Sequence, residues 1–225
     1  MENIRNYIGL DTFTLKLLAC LLMLTDHVGD VFFPEYYILR KIGRLAFPIF
    51  AFLVVEGFYH THDVKKYMLR LFIFSLVSEV PFDLAFYHTP FYPEHNNVFF
   101  TLLFGLVILY FVQYIGNVYL SMGMALLLMS LAEYIHTDYR ARGVLMILCF
   151  YFFRQRIWPL LLSIGGINVF LFSPVGGIQS CATLALLPIW LYNGKKGLSV
   201  KYIFYLFYPV HLLVIYYIWL MTQAG

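Results

Sequence analysis

The sequence predicts an all-α protein, a polytopic membrane helical bundle of about nine transmembrane helices forming a single domain over residues 1–225. Three observations predict it. Hydrophobic residues make up 62% of the chain and charged residues 12%, with a mean hydropathy of +0.78, far from the roughly half-apolar, quarter-charged mix of a soluble domain. Apolar runs of helix length recur throughout, joined by brief loops without low complexity or a clear internal repeat. Aromatic residues at 20% suit interface belts and tightly packed helices.

A span takes about 20 apolar residues, fewer where neighbours shield its ends. By that ruler the first helix covers Thr14–Phe33, opening with Lys16 and carrying Asp26 and His27 well inside. The second, Ile42–Tyr59, is apolar up to Glu56. The third, Met68–Phe86, holds Glu79 and Asp83 one turn apart, with Pro81 between them to loosen the helix. Val98–Ile115 and Val118–Ile135 follow. Gly143–Phe153 is the shortest run, set between Arg142 and Arg154. Ile157–Phe172 and Gly176–Tyr192 come next, and Tyr202–Met221 closes the series with His211 near its middle.

The opening residues lack the cationic flank, short apolar core and cleavage site of a signal peptide, so the first span is expected to remain in the product. Cys20, Cys149 and Cys181 all fall in apolar runs; an odd number without short spacings forms neither a disulfide framework nor a metal knuckle. The net charge of +3 is spread over loops, and no basic block points to nucleic acid. If the first helix enters from side one, that side collects Arg5, Lys16, Lys65, Lys66, Arg70, Arg154, Arg156, Lys195, Lys196 and Lys201, and the other holds Arg40, Lys41, Arg44, Arg140 and Arg142. The bias predicts a multi-pass membrane protein with its amino terminus in the cytoplasm and its carboxyl terminus outside. The polar, proline-containing loop from Tyr87 to Asn97 then faces outside, either shaping an entrance or serving as a turn-rich connector.

Ionisable groups inside hydrocarbon cost several kcal/mol unless paired or facing a wet cavity, so they mark candidate sites. Lys16 and His27 lie eleven residues apart, about three helical turns, which puts them on one face with a rise of about 16 Å. A donor with phosphates at one end and a reactive group at the other fits along that face. Lys16 serves equally as a snorkelling anchor. His27 is a candidate general base; Asp30 is placed one turn on to orient it, and Asp26 is adjacent. Glu56, Glu79 and Asp83 are candidates for the cavity wall, or for ion pairs with Arg44 and Arg70 that brace the bundle. His211, following Tyr208-Pro209-Val210, can face His27 or bond a backbone carbonyl freed by Pro209. His60, His62 and Asp63 read as a polar loop, and no metal site is expected.

Lys16, ten intervening residues and His27 resemble the basic-x10-His signature of acyltransferase-3-type membrane acyltransferases. The fuller set is similar to the TraX family of conjugal-transfer proteins: Leu24-Thr-Asp-His-Val-Gly29, Gly43-Arg-Leu-Ala-Phe-Pro-Ile-Phe-Ala-Phe52 with Glu56-Gly57, Ser78-Glu-Val-Pro-Phe-Asp83, Asn97-Val-Phe-Phe-Thr101 and Tyr208-Pro-Val-His211. That resemblance implies an integral-membrane acetyltransferase using cytoplasmic acetyl-coenzyme A, the family being associated with acetylation of the amino terminus of F-type pilin. It makes His27 the catalytic base and Lys16, where the usual residue is Arg, a donor-binding residue, with Arg44 and Arg70 as further donor-binding candidates. Asp26 and Asp30 support the base, and Tyr208 and His211 join the cavity. The expected partners are the lipid bilayer, acetyl-coenzyme A and an acceptor peptide or envelope molecule. Direct transfer and an acetyl-His27 intermediate both fit. The alternatives are an O-acetyltransferase of an envelope glycan and, in another class, a transporter or membrane scaffold with a buried proton relay.

Overall fold

The computed structural model describes residues 9–172, 177–198 and 201–223. Arg5 of the charge count and Gly176 at the expected start of the eighth span lie outside the described residues. The fold is all-α. The helices are α1 (Thr12–Phe32), α2 (Tyr37–Gly43), α3 (Ala46–His60), α4 (Val64–Tyr87), α5 (Val98–Tyr110, continued by a π-helical turn, Phe111–Ile115), α6 (Val118–Tyr134), α7 (Arg140–Phe153), α8 (Ile157–Gly166, continued by a π turn, Ile167–Leu171), a 3₁₀ segment (Ile178–Ala185) running into α9 (Leu186–Trp190), and α10 (Lys201–Gln223). Where the sequence suggests one domain, the chain divides into two compact units, Met1–Leu53 with Ile164–Gly225, and Val54–Ser163.

In the first unit, α1 starts where Asp11 caps it by accepting the Thr14 N–H at 2.7 Å. Leu15, Ala19, Met23 and His27 recur every fourth residue and are buried, so they form one inward stripe. That stripe meets α10. Phe13 packs edge-on against Phe204 at 5.7 Å and His27 lies against His211, so contacts advance together along both chains and the two helices run parallel. α2 docks on the other side of α1 through two glycines: a Cβ on Gly43 would run into the backbone of Asp26, and one on Gly29 would lie 2.8 Å from Leu39 Cβ.

In the second unit α5 is the hub, packed by α4, α6 and α7. Its mean hydropathy supports that role, since Leu102, Leu103, Phe104, Leu106, Ile108 and Leu109 are all buried. The few polar groups are matched: Thr101 donates to Thr137 Oγ1 at 3.0 Å and contacts the Asp138 carbonyl.

The core is apolar, but so are long outward faces, and several ionisable groups lie inside. Leu69, Phe72, Ile73, Leu76, Val77 and Val80 of α4 are exposed, as are Ile203, Leu206, Val210, Val214 and Ile218 of α10, whereas Asp26, His27, Glu56, Asp83, Asn97 and His211 are buried. Apolar patches of this extent mark contact with lipid or partners. Val98–Ile115 and Tyr202–Gln223 are long and apolar enough to cross a membrane.

Three expected boundaries are corrected. The run Ile42–Tyr59 is not one helix, because the chain turns at Arg44 and Leu45 before α3. Pro48 explains this: it sits in the first turn of α3, where its missing N–H costs nothing. Ile157–Phe172 leaves α-geometry after the Gly165-Gly166 pair. The described part of Gly176–Tyr192 is a 3₁₀ segment, Ile178–Ala185, and a five-residue helix, with Gln179 donating a buried hydrogen bond to Asn168 at 3.3 Å.

Candidate functional site

The first unit brings together two buried imidazoles. Nδ1 of His27 on α1 lies 2.8 Å from Nε2 of His211 on α10, and the rings meet edge to edge, their centres 5.0 Å apart and their planes 8° from parallel. Nδ1 of His211 donates to the Phe207 carbonyl at 2.7 Å. Both expectations for His211 are met, since it faces His27 and bonds a neighbouring backbone carbonyl; that carbonyl is Phe207's, one turn back, and not the Tyr205 carbonyl that Pro209, lacking an N–H, leaves open. The Phe207 ring stacks on His211 at 4.7 Å, and buried Tyr208 meets His27 and His211 edge-on at 6.2 and 5.7 Å.

The carboxylates beside His27 are engaged elsewhere. Asp30 Oδ2 lies 2.9 Å from Arg40 Nη1, and Asp26 pairs with Arg40 at 3.4 Å and with Arg44 at 3.6 Å. Asp30 is thus engaged with Arg40, and the group at His27 Nδ1 is His211 in place of the expected carboxylate. The Arg40 side chain also donates to the Asp26 carbonyl at 3.3 Å, which ties α2 to α1. Arg44 sits at the level of Asp26, ten residues or about 15 Å along the helix from Lys16, so it does not join Lys16 at a shared anion site. Lys16 is half-buried on the α10 side of α1, its Nζ 5.5 Å from the centre of the Phe204 ring. Lys16 and His27 thus both face α10.

The remaining predicted residues belong to the second unit. Glu56 is gripped by Arg154 through two hydrogen bonds, of 2.5 and 2.9 Å, with His60 Nε2 at 3.6 Å. Arg70 lies over the Tyr67 ring at 5.6 Å. The expected pairing of Glu79 and Asp83 with Arg44 and Arg70 is corrected: Glu79 accepts from the Asn97 side chain, and Asp83 accepts the Tyr92 N–H at 2.8 Å. The loop from Tyr87 to Asn97 is pinned, with Tyr87 and Tyr92 stacked at 3.9 Å and the Tyr87 hydroxyl 2.7 Å from His95 Nδ1. Asp63 caps α4 by accepting the Lys66 N–H at 2.9 Å, and that bond holds its carboxyl below its ordinary value.

An apolar groove of about 600 Å³ opens between α1 and α10, walled by Leu24, Val28, Phe32, Phe207, Val214 and Ile218, with His211 among its lining. It offers an apolar approach to the imidazole pair. Sequence reasoning missed Arg40, Arg154, Asn97 and Phe207. Arg40 stands four residues before Arg44, a spacing that puts both on one face, and Asn97 before an apolar run is an N-cap signal; nothing local marks Arg154 as the partner of a residue 98 positions away.

Comparison with known proteins places these features in a family context. Residues 12–219 match the family model described as TraX protein. The chain is 28% identical over 229 residues to the probable fimbrial assembly protein FimC, serogroup H1, of Dichelobacter nodosus, covering 91% of this chain and 94% of that one. It is 34% identical over 85 residues to the uncharacterized protein RP591 of Rickettsia prowazekii (strain Madrid E), covering 38% of this chain and 31% of that protein. No solved structure matches.

Proposed function

The chain belongs to the TraX family, and from that premise we propose that it is a multi-pass inner-membrane acetyltransferase. It moves an acetyl group from cytoplasmic acetyl-coenzyme A to an acceptor amine, the amino terminus of a pilin-like or other exported peptide. The observation that carries the proposal is the buried His27–His211 pair at 2.8 Å, since ionisable groups placed in an apolar interior mark function. The name of the Dichelobacter relative, a fimbrial assembly protein, supports a fimbrial or pilin-like acceptor.

His27 is the general base. As the amine nitrogen attacks the thioester carbonyl carbon, His27 accepts the amine proton. Collapse of the tetrahedral intermediate breaks the C–S bond, and that proton leaves with the coenzyme A thiolate. A terminal α-amine, with a reference pKa of about 7.7 against about 10.4 for a lysine side chain, is the easier nucleophile at neutral pH. Lys16, near the start of the same helix and facing α10 as His27 does, suits the anionic end of the donor. The outward apolar faces of α4 and α10 support helices in contact with lipid, Val98–Ile115 and Tyr202–Gln223 are long and apolar enough to cross it, and about nine segments in all follow from the apolar runs of the sequence. Parallel α1 and α10 support termini on opposite sides of the membrane, and the Lys/Arg bias supports the amino-terminal one in the cytoplasm.

The test is incubation of detergent-purified protein with acetyl-coenzyme A and a synthetic peptide, its α-amine free or blocked, read by mass spectrometry. Acetylation of the free peptide alone, abolished in His27→Ala, is the expected result. Failure of wild-type protein to bind or consume acetyl-coenzyme A overturns the proposal in favour of a membrane scaffold, a reading supported by the matched buried pair Glu56–Arg154.

A further inference from the structure

We propose that His211 is a positioning residue that fixes which nitrogen of His27 takes the proton, in the place where other histidine bases use a carboxylate. The role rests on the reading of His27 as a base; the proton arrangement itself rests on geometry alone.

The chain of reasoning starts from a backbone carbonyl. An amide oxygen has no proton to give, so the His211 Nδ1 that lies 2.7 Å from the Phe207 oxygen carries the hydrogen. In a neutral ring the other nitrogen, Nε2, is then an acceptor. Nδ1 of His27, 2.8 Å from it, is consequently the donor of that bond. One tautomer of His27 satisfies this arrangement, with the hydrogen on Nδ1 and the basic lone pair on Nε2. The order runs from the Phe207 carbonyl through His211 to His27, and every donor in it meets an acceptor.

The surroundings hold that order in place. His211 carries the Phe207 ring on its face at 4.7 Å and meets His27 edge to edge through the Nδ1–Nε2 contact, with ring centres 5.0 Å apart, so turning the ring over would break both of its hydrogen bonds. Tyr208 closes the edge of both imidazoles. The charged groups nearest in the fold are engaged with one another: Asp26 with Arg40 and Arg44, and Asp30 with Arg40. When His27 accepts a proton on Nε2 it keeps its Nδ1–H bond to His211, so the lock survives the step without reversing. A neutral acceptor also suits an apolar interior, where a carboxylate would need its own desolvation to be offset.

The test is NMR of protein labelled with ¹⁵N-histidine, in which protonated and unprotonated ring nitrogens resonate far apart. The chain has seven histidines, and His27→Gln and His211→Gln assign the two signals. Protonated Nδ1 and unprotonated Nε2 in both rings is the expected result; a protonated Nε2 on His27 overturns the proposal. A second arm reads activity. His211→Leu should lower kcat by roughly 10- to 100-fold, within the range that general-base catalysis supplies, with KM little changed. His211→Gln, whose amide can accept from His27 and donate to Phe207, should restore most of that loss. Unchanged kcat in a folded His211→Leu protein, or a His27 spectrum unaltered by it, overturns the positioning role. If wild-type protein transfers no acetyl group, the enzymatic reading fails, and the spectrum alone decides the proton arrangement.

Discussion

The guanidinium of Arg154 holds both carboxylate oxygens of Glu56, Nε to Oε1 at 2.5 Å and Nη2 to Oε2 at 2.9 Å. Glu56 is only 2% exposed, so removing its partner strands a buried charge, at a cost of about 3–5 kcal/mol. Arg154→Met should therefore lower the thermal midpoint of the detergent-solubilised protein sharply. Adding Glu56→Leu should recover most of the loss, because replacing both members of a buried pair with apolar groups is often close to neutral. A double variant no more stable than Arg154→Met would show that Glu56 has a further partner that matters more.

Close approach of α1 and α2 makes a second prediction. Gly43→Ala drives a methyl group into the Asp26 backbone, and overpacking of this kind costs about 1–3 kcal/mol. Gly123 of α6 has open space where its Cβ would go, so Gly123→Ala should be neutral or stabilising by up to about 1 kcal/mol through helix propensity. Thermal unfolding of the two variants side by side checks the contrast.

Asn97 has two duties that can be separated. Its side-chain oxygen caps α5 by accepting the Phe99 N–H at 3.0 Å, while its amide group donates to Glu79 and to the Ser75 carbonyl. Asn97→Ala should cost toward the upper end of the usual capping loss of about 0.5–2 kcal/mol. Asn97→Asp keeps an excellent cap but turns a carboxylate toward Glu79. It should be at least as damaging at neutral pH, whereas capping alone would leave it harmless.

A pH step should follow from Asp63. The Lys66 N–H holds its carboxyl below the ordinary 3.8, so the ionised cap stabilises the folded state above that value and is lost as pH falls through the lower, folded-state one. Acid titration followed by proteolysis at the start of α4 should show loosening only below about pH 4. Asp63→Asn, which caps without ionising, should remove the step.

Much of the architecture was legible in the sequence because apolar runs of helix length are the dominant signal in a chain this poor in charge. Most such runs are helical among the described residues, the exceptions being the turn inside Ile42–Tyr59, which Pro48 in the first turn of α3 could have announced, and the departures from α-geometry after Gly166 and over Ile178–Ala185. His27 and His211 were legible as isolated ionisable groups in apolar runs. Their partners were harder. Asp26 and Asp30 stand beside His27 in sequence, yet they turn to Arg40 and Arg44 because α2 docks these two cations, one within it and one at its end, against that part of α1. Arg154 and Glu56, like His211 and His27, meet only through tertiary packing, which no local pattern encodes.

The first unit is assembled from two stretches of chain separated by the whole of the second. His27 is translated 184 residues before His211, so during synthesis the imidazole of α1 waits, without its eventual mate, while α4 to α8 are made. Until α10 arrives the pair cannot form, and a ribosome stalled before Lys201 leaves a chain with no such centre. Biogenesis thereby delays the centre: the pair proposed to carry the chemistry is complete only after almost all of the polypeptide has been made.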